Sequence, residues 1–261
     1  MMNKIFTFIL IFIMTGCGFS SGLYKDIIKA QDYISEQKFQ KAVDVYESIL
    51  RKKPSKNIQI KINYHLGEIY SIYLNDYQNS LRHYKTIVKS SNEPNWQVKS
   101  LEKIGHIYFE NLNEYEKAKK VYHQLMNFVP TLENQDLYEF RYGLSIFYLK
   151  KYTESIKVFE NIIEKNKKKS AVNSYYYIGL AYFYQQNWVN ANKYWFEYLK
   201  RETQNNKIVK TKFLIANAYE SSEKLKEAYN IYYSILGEYP NPEVIKSRLD
   251  SLYKRRIARK R

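Results

Sequence analysis

Six times along the chain a small residue returns at nearly the same interval. Ala30, Gly67, Gly105, Gly143, Gly179 and Ala216 are separated by 37, 38, 38, 36 and 37 residues. A period of that length signals one supersecondary unit repeated and stacked, because a single such unit cannot bury its own apolar face. Three residues after each small residue stands Tyr33, Tyr70, Tyr108, Ile146, Tyr182 or Tyr219. Twelve or thirteen residues after it comes a second small one, at Ala42, Ser80, Ala118, Ser155, Ala191 and Ala228.

Bulky residues flank this second position as regularly. Phe39, Tyr77, Tyr115, Tyr152, Trp188 and Leu225 precede it by three residues, and Tyr46, Tyr84, Tyr122, Phe159, Trp195 and Tyr232 follow it by four. The spacing predicts two antiparallel helices per repeat, crossing at the small residues, with the large rings filling the space beside each crossing. Polar pairs mark the turns inside each repeat: Gln37-Lys38, Asn75-Asp76, Asn113-Glu114, Lys150-Lys151, Gln186-Asn187 and Glu223-Lys224. Pro54, Pro130 and Pro240 close three of the repeats. No stretch alternates with period two for long, so strands are not required. From Pro242 to Ile257 one more amphipathic helix carries Val244, Ile245, Leu249, Leu252 and Tyr253 at helical spacing. It reads as a cap over the last repeat or, alternatively, as a partner-binding helix.

This pattern resembles the tetratricopeptide repeat over almost all of residues 22–240, most clearly in Ala30, Tyr33, Ala42, Tyr46 and Pro54, and again in Ala216, Tyr219, Ala228, Tyr232 and Pro240. The resemblance implies an all-α fold: a right-handed α-solenoid of about six helix pairs with a C-terminal capping helix. It departs in periods above 34, in the missing closing proline of the fourth and fifth repeats, and in lacking an early Trp in the first helices.

The N-terminus has a different design. One charge at Lys4, an apolar run from Ile5 to Met14 broken only by Thr7, and then Thr15-Gly16-Cys17 form the layout of a secretory signal. The run is about half of the ~20 residues that a membrane-spanning helix needs. Met14-Thr15-Gly16-Cys17 resembles the bacterial lipobox, in which small residues admit the peptidase and the thiol accepts the diacylglyceryl group. The resemblance implies a signal peptide over 1–16, a lipidated Cys17 with a short tether over 17–21, the repeats over 22–240, and a capping helix with a basic tail over 241–261. Two or more acyl chains give stable anchoring. Gly18, where enteric lipoproteins retained at the inner membrane carry Asp, points to the periplasmic side of the outer membrane.

The formal charge of +16 raises nucleic-acid binding, but the basic residues are mostly Lys spread over every expected helix, so no nucleic-acid partner is expected. Five of the nine Arg lie between Arg248 and Arg261. The tail residues Arg255, Arg256, Arg259, Lys260 and Arg261 are either contacts for an anionic surface or a solvated helix end. A single Cys excludes an intramolecular disulfide and a Cys-based zinc cluster. His65, His83, His106 and His123 show no metal spacing, and no phosphate loop or nucleophile elbow occurs. No cofactor, no metal and no catalysis are expected.

Binding remains. In tetratricopeptide proteins the first helix of each repeat lines a groove, which by resemblance places Leu137, Phe140, Leu144, Phe147 and Tyr148 of the fourth repeat there. The fifth repeat adds Asn173, Tyr176, Leu180, Phe183 and Tyr184, and the third and sixth place mixed groups there, including Lys99, Glu102, His106, Phe109, Lys210, Phe213, Asn217 and Glu220. These aromatics are either anchors for a protein or peptide partner or plain core. The layout is similar to that of the tetratricopeptide lipoproteins of outer-membrane protein assembly, and pilus, secretin and motility scaffolds share it. The leading expectation is a lipid-anchored adaptor in an envelope complex, the second an accessory or activator of a cell-wall hydrolase.

Overall fold

The computed structural model describes residues 21–165 and 169–258. Cys17 with the residues before it, and Arg259, Lys260 and Arg261, therefore lie outside the described residues. The chain divides into two compact units, one ending at Gln97 and one beginning at Val98.

The first unit holds α1 (Ser21–Ser35), α2 (Phe39–Arg51), α3 (Lys56–Glu68), α4 (Tyr77–Ser90) and the opening turn of α5 (Pro94–His106). The second continues with α6 (Tyr115–Met126), α7 (Gln135–Tyr148), α8 (Tyr152–Lys165), α9 (Lys169–Tyr184) and α10 (Trp188–Leu199). It ends with α11 (Asn205–Ser221), α12 (Leu225–Ser234) and α13 (Pro242–Ala258). No strand occurs among the described residues. Within each unit helices pack on their neighbours in sequence order: α1 through α4 in the first, and α6 through α13 in the second.

The small residues do what their spacing predicts. Gly67 faces the Tyr84 ring, Gly105 the Tyr122 ring, Gly143 the Phe159 ring and Gly179 the Trp195 indole. A Cβ at these four glycines would come within 2.6, 3.0, 2.7 and 2.4 Å of those rings, so the backbone itself forms the floor on which each ring lies. In the first and last pairs Ala30 with Tyr46, and Ala216 with Tyr232, are buried in the same clusters. Each of these rings is buried, and aromatic side chains carry a large apolar area out of water when they are buried.

The polar pairs at the turns have one backbone solution. Gln37, Asn75, Asn113, Lys150, Gln186 and Glu223 all lie in the left-handed region, with φ between 53° and 61°. The N–H of the residue that follows then donates to the carbonyl of Tyr33, Tyr70, Tyr108, Ile146, Tyr182 or Tyr219, at 2.7 to 3.2 Å. This is the Schellman closure of a helix, and the recurring Tyr or Ile three residues after the small one supplies its acceptor.

In repeats two and three the second small residue follows the first by thirteen positions rather than twelve, and the structure shows where the extra residue goes. Ile69–Tyr73 and Ile107–Asn111 are π-helical, with Leu74 N–H donating to Ile69 O and Leu112 N–H to Ile107 O, five residues back. One residue is thus absorbed before the turn, and both the turn geometry and the following helix keep their places. The widened turn also leaves the Gly67 carbonyl able to accept from two hydroxyls, Ser71 Oγ at 2.9 Å and Ser80 Oγ at 2.7 Å.

At the end of the second unit α13 lays Ile245, Leu249 and Leu252 against Ala216, Leu225 and Tyr232. It covers α12 as a capping helix must. No described helix is long and apolar enough to cross a membrane.

Candidate functional site

Within the second unit the N-terminal halves of α7, α9 and α11 enclose an open cleft of about 660 Å³. Its register is set by the repeat. Leu137, Asn173 and Lys210 each stand six residues before the small residue of their helix, and all three line the cleft. Phe140 and Tyr176, three residues further along, form its floor together with Leu144 and Tyr177.

The floor is aromatic and held by ring contacts. Phe140 meets Tyr177 edge-on at 5.8 Å between centroids, Tyr176 meets Tyr177 at 5.4 Å, and Tyr198 of α10 closes on Tyr176 at 5.3 Å. Burial raises the phenol pKa values of Tyr176 and Tyr177, so both stay neutral donors. Three cations stand round the rim. Arg141 pairs with Glu110 at 2.5 Å, and Lys207 with Glu202 at 3.6 Å. Burial works against ionisation of Glu202, but the Tyr198 hydroxyl, the Gln204 and Thr203 N–H groups and Lys207 hold it down to about 2. The third cation, Lys210, is exposed and forms no ion pair with another described residue.

Of the eight residues expected in the groove, Phe140, Leu144 and Tyr176 line this cleft. Phe147 is buried against Tyr177 and Tyr152, while Leu180 and Phe183 pack on the cluster of Ala191 and Trp195. Phe147 is core, and Leu180 and Phe183 are partly buried against a core cluster. Tyr148 and Tyr184, 43% and 56% exposed, lie at the turn end, stacked on Tyr115 at 4.9 Å and on Tyr152 at 5.4 Å. Register alone did not reveal Arg141, Tyr177, Tyr198 and Lys207. Arg141 and Tyr177 share a position two residues before the small residue, a repeat that could have been noticed.

The expected basic surface at the C-terminus is partly consumed inside the fold. Arg255 donates to Glu220 at 3.1 Å and to Glu223 at 2.8 Å, and Arg256 lies over the Tyr229 ring at 5.7 Å. Arg255 is therefore a clamp between α13 and α11 rather than a free cation. Among the histidines, His83 is buried, bonded through Nδ1 to Asn63 Oδ1 at 2.9 Å and stacked on Tyr70. His106 and His123 are at the surface. No group of three metal-ligating side chains converges among the described residues.

No protein-family model and no curated protein matches the chain in sequence. Solved structures do match in shape. The C-terminal part of a TPR repeat-containing protein from Cytophaga hutchinsonii superposes with a TM-score of 0.67 at 16% identity, over 87% of this chain and 87% of that one. A tetratricopeptide repeat protein from Parabacteroides merdae gives 0.62 at 18% identity, over 90% and 92%. PilW, described as a widely conserved type IV pilus biogenesis factor, gives 0.56 at 14% identity, over 90% and 100%. At such identities the likeness is one of fold, and that fold is the all-α tetratricopeptide type.

Proposed function

We propose that this chain is a non-catalytic protein-binding scaffold held at the bacterial envelope by a lipid on Cys17, with the cleft between α7, α9 and α11 receiving a segment of its partner. The observation that carries this reading is the cleft itself. It is open, floored by rings and lined by equivalent positions in the first helices of three successive repeats, which is what a stack of helix pairs offers an extended polypeptide. The lipobox-like Met14-Thr15-Gly16-Cys17 supports the anchor, and Gly18 favours the periplasmic face of the outer membrane. The likeness to a pilus biogenesis factor supports membership of an envelope assembly complex.

Two experiments test the two halves separately. Metabolic labelling with a fatty-acid analogue should mark the wild type and not Cys17→Ala, and an unlabelled wild type ends the anchor reading. Affinity purification from detergent-solubilised envelope should lose its partner when Leu137→Asp and Tyr176→Ala are combined in a chain whose circular dichroism is unchanged. Undiminished capture of the same partner would remove the cleft from the function.

A further inference from the structure

Leu137, Asn173 and Lys210 form a row across the cleft, one residue from each of three neighbouring helices at the same register, and their chemistry changes along it from apolar to amide to cation. We propose that this row makes the cleft selective for a polypeptide segment carrying a bulky apolar side chain at one end and a carboxylate at the other. The proposal rests on the cleft being the partner-binding site, and it adds which partner fits.

The apolar end is built at α7. Leu137 is 46% exposed, and Phe140 and Leu144 line the cleft beside it, so an aliphatic or aromatic side chain seated there meets hydrocarbon from all three. The charged end is built at α11. Arg141 and Lys207 are already satisfied by Glu110 and Glu202, while Lys210 pairs with no described residue, and no carboxylate lines the cleft. A ligand covering Lys210 with neutral surface would strip its hydration without return, and a basic ligand would add repulsion to that loss. A carboxylate is the complement. Asn173 lies between the ends, and its amide makes no hydrogen bond with another described residue. A primary amide donates and accepts at once, which matches a backbone peptide group. An acyl chain laid across the same place would leave that amide desolvated and unpaired. α7 and α9 are packed on one another, and packed helices stand roughly 9 Å apart, so a segment that continues by a similar step to α11 covers on the order of 18 Å. That is about five residues of extended chain.

Selection of a displayed library of short random peptides on the full-length chain in detergent micelles tests this, run in parallel on Lys210→Glu. Lys210 is exposed, so the substitution leaves the fold in place. The wild type should enrich peptides with a large apolar residue about five positions from an Asp or Glu. Changing that acid to Lys in an enriched peptide should weaken binding about tenfold or more, with the loss shrinking as ionic strength rises. Lys210→Glu should lose the preference for acid and gain one for Lys or Arg. The same enriched sequences on both chains, or no enrichment on the wild type, overturns the proposal. If Tyr176→Ala abolishes peptide binding while Lys210→Glu leaves the ranking untouched, the cleft still binds partners and the acidic rule alone is lost. If Tyr176→Ala and Leu137→Asp also change nothing, the cleft reading falls as well. Displacement of an enriched peptide by phosphatidylglycerol vesicles assigns the cleft to lipid and refutes the rule.

Discussion

The Trp195 indole lies flat over Gly179, with its Nε1–H donating to the Tyr176 carbonyl at 3.1 Å on the same helix as the glycine. One residue thus sets how close α9 and α10 come, and the other holds them in register.

Gly179→Ala should therefore destabilise the second unit. Ala is the better helix former by about 1 kcal/mol, but forcing a methyl to within 2.4 Å of the indole costs more than that gain. Overpacking of this kind costs roughly 1–3 kcal/mol. Urea unfolding should show a net loss, and Gly179→Ala combined with Trp195→Phe should recover part of it. A stabilised single variant would show that the helices separate freely.

Removing one residue from a π-helical stretch should cost little. Deleting exposed Ile72 places Ser80 twelve positions after Gly67, the spacing of four other repeats, and allows an ordinary α-helix to reach the same turn. The thermal midpoint should move by less than about 4 °C, the shift that roughly 1 kcal/mol produces in a protein of this size. Deleting Tyr184, in a repeat with no residue to spare, should shift it by about twice as much or more. Equal losses would mean that the π turns are needed in themselves.

The left-handed turns offer a stabilising change. Lys150, at φ 61°, carries a side chain where glycine is at ease. Lys150→Gly should raise stability by up to about 1 kcal/mol, whereas Lys150→Val should lower it by roughly 1–2 kcal/mol. Chemical denaturation of both variants checks the sign.

His83 gives the first unit a pH dependence. Burial first, and then the Arg82 guanidinium, lower its pKa to about 4, against the opposing pull of Glu47, while Asn63 and Tyr70 hold the neutral ring. An unfolded histidine titrates near 6.5, so between about 6.5 and about 4 the unfolded chain binds the extra proton. Stability is full above about 6.5 and falls with pH through that window, by up to about 3 kcal/mol. His83→Gln should flatten the curve there, and an unchanged slope would assign it to carboxylates.

Much of this was legible in the residues. Gly179 and Trp195 announce their contact because a small residue recurs with a large ring in every repeat, and here the smallest meets the largest. The turns were legible as polar pairs, although Gln37, Lys150, Gln186 and Glu223 do not favour positive φ as Asn75 and Asn113 do. The thirteen-residue spacings were on view, but their absorption into Ile69–Tyr73 depends on the ladder yielding before the turn, which no local preference encodes. Leu137, Asn173 and Lys210 follow from register. On the same stripe Phe147 is buried and Phe183 partly buried, because how far an apolar face stays open is decided by the next helix and not by its own sequence.

The terminal helix α13 has a consequence for assembly. With Ile245 and Leu252 seated over Tyr232, and Arg255 clamped to Glu220 and Glu223, the surface on which a seventh pair would have grown is already occupied. A second molecule finds α12 already covered, and stacking another helix pair on it would require α13 to be displaced first.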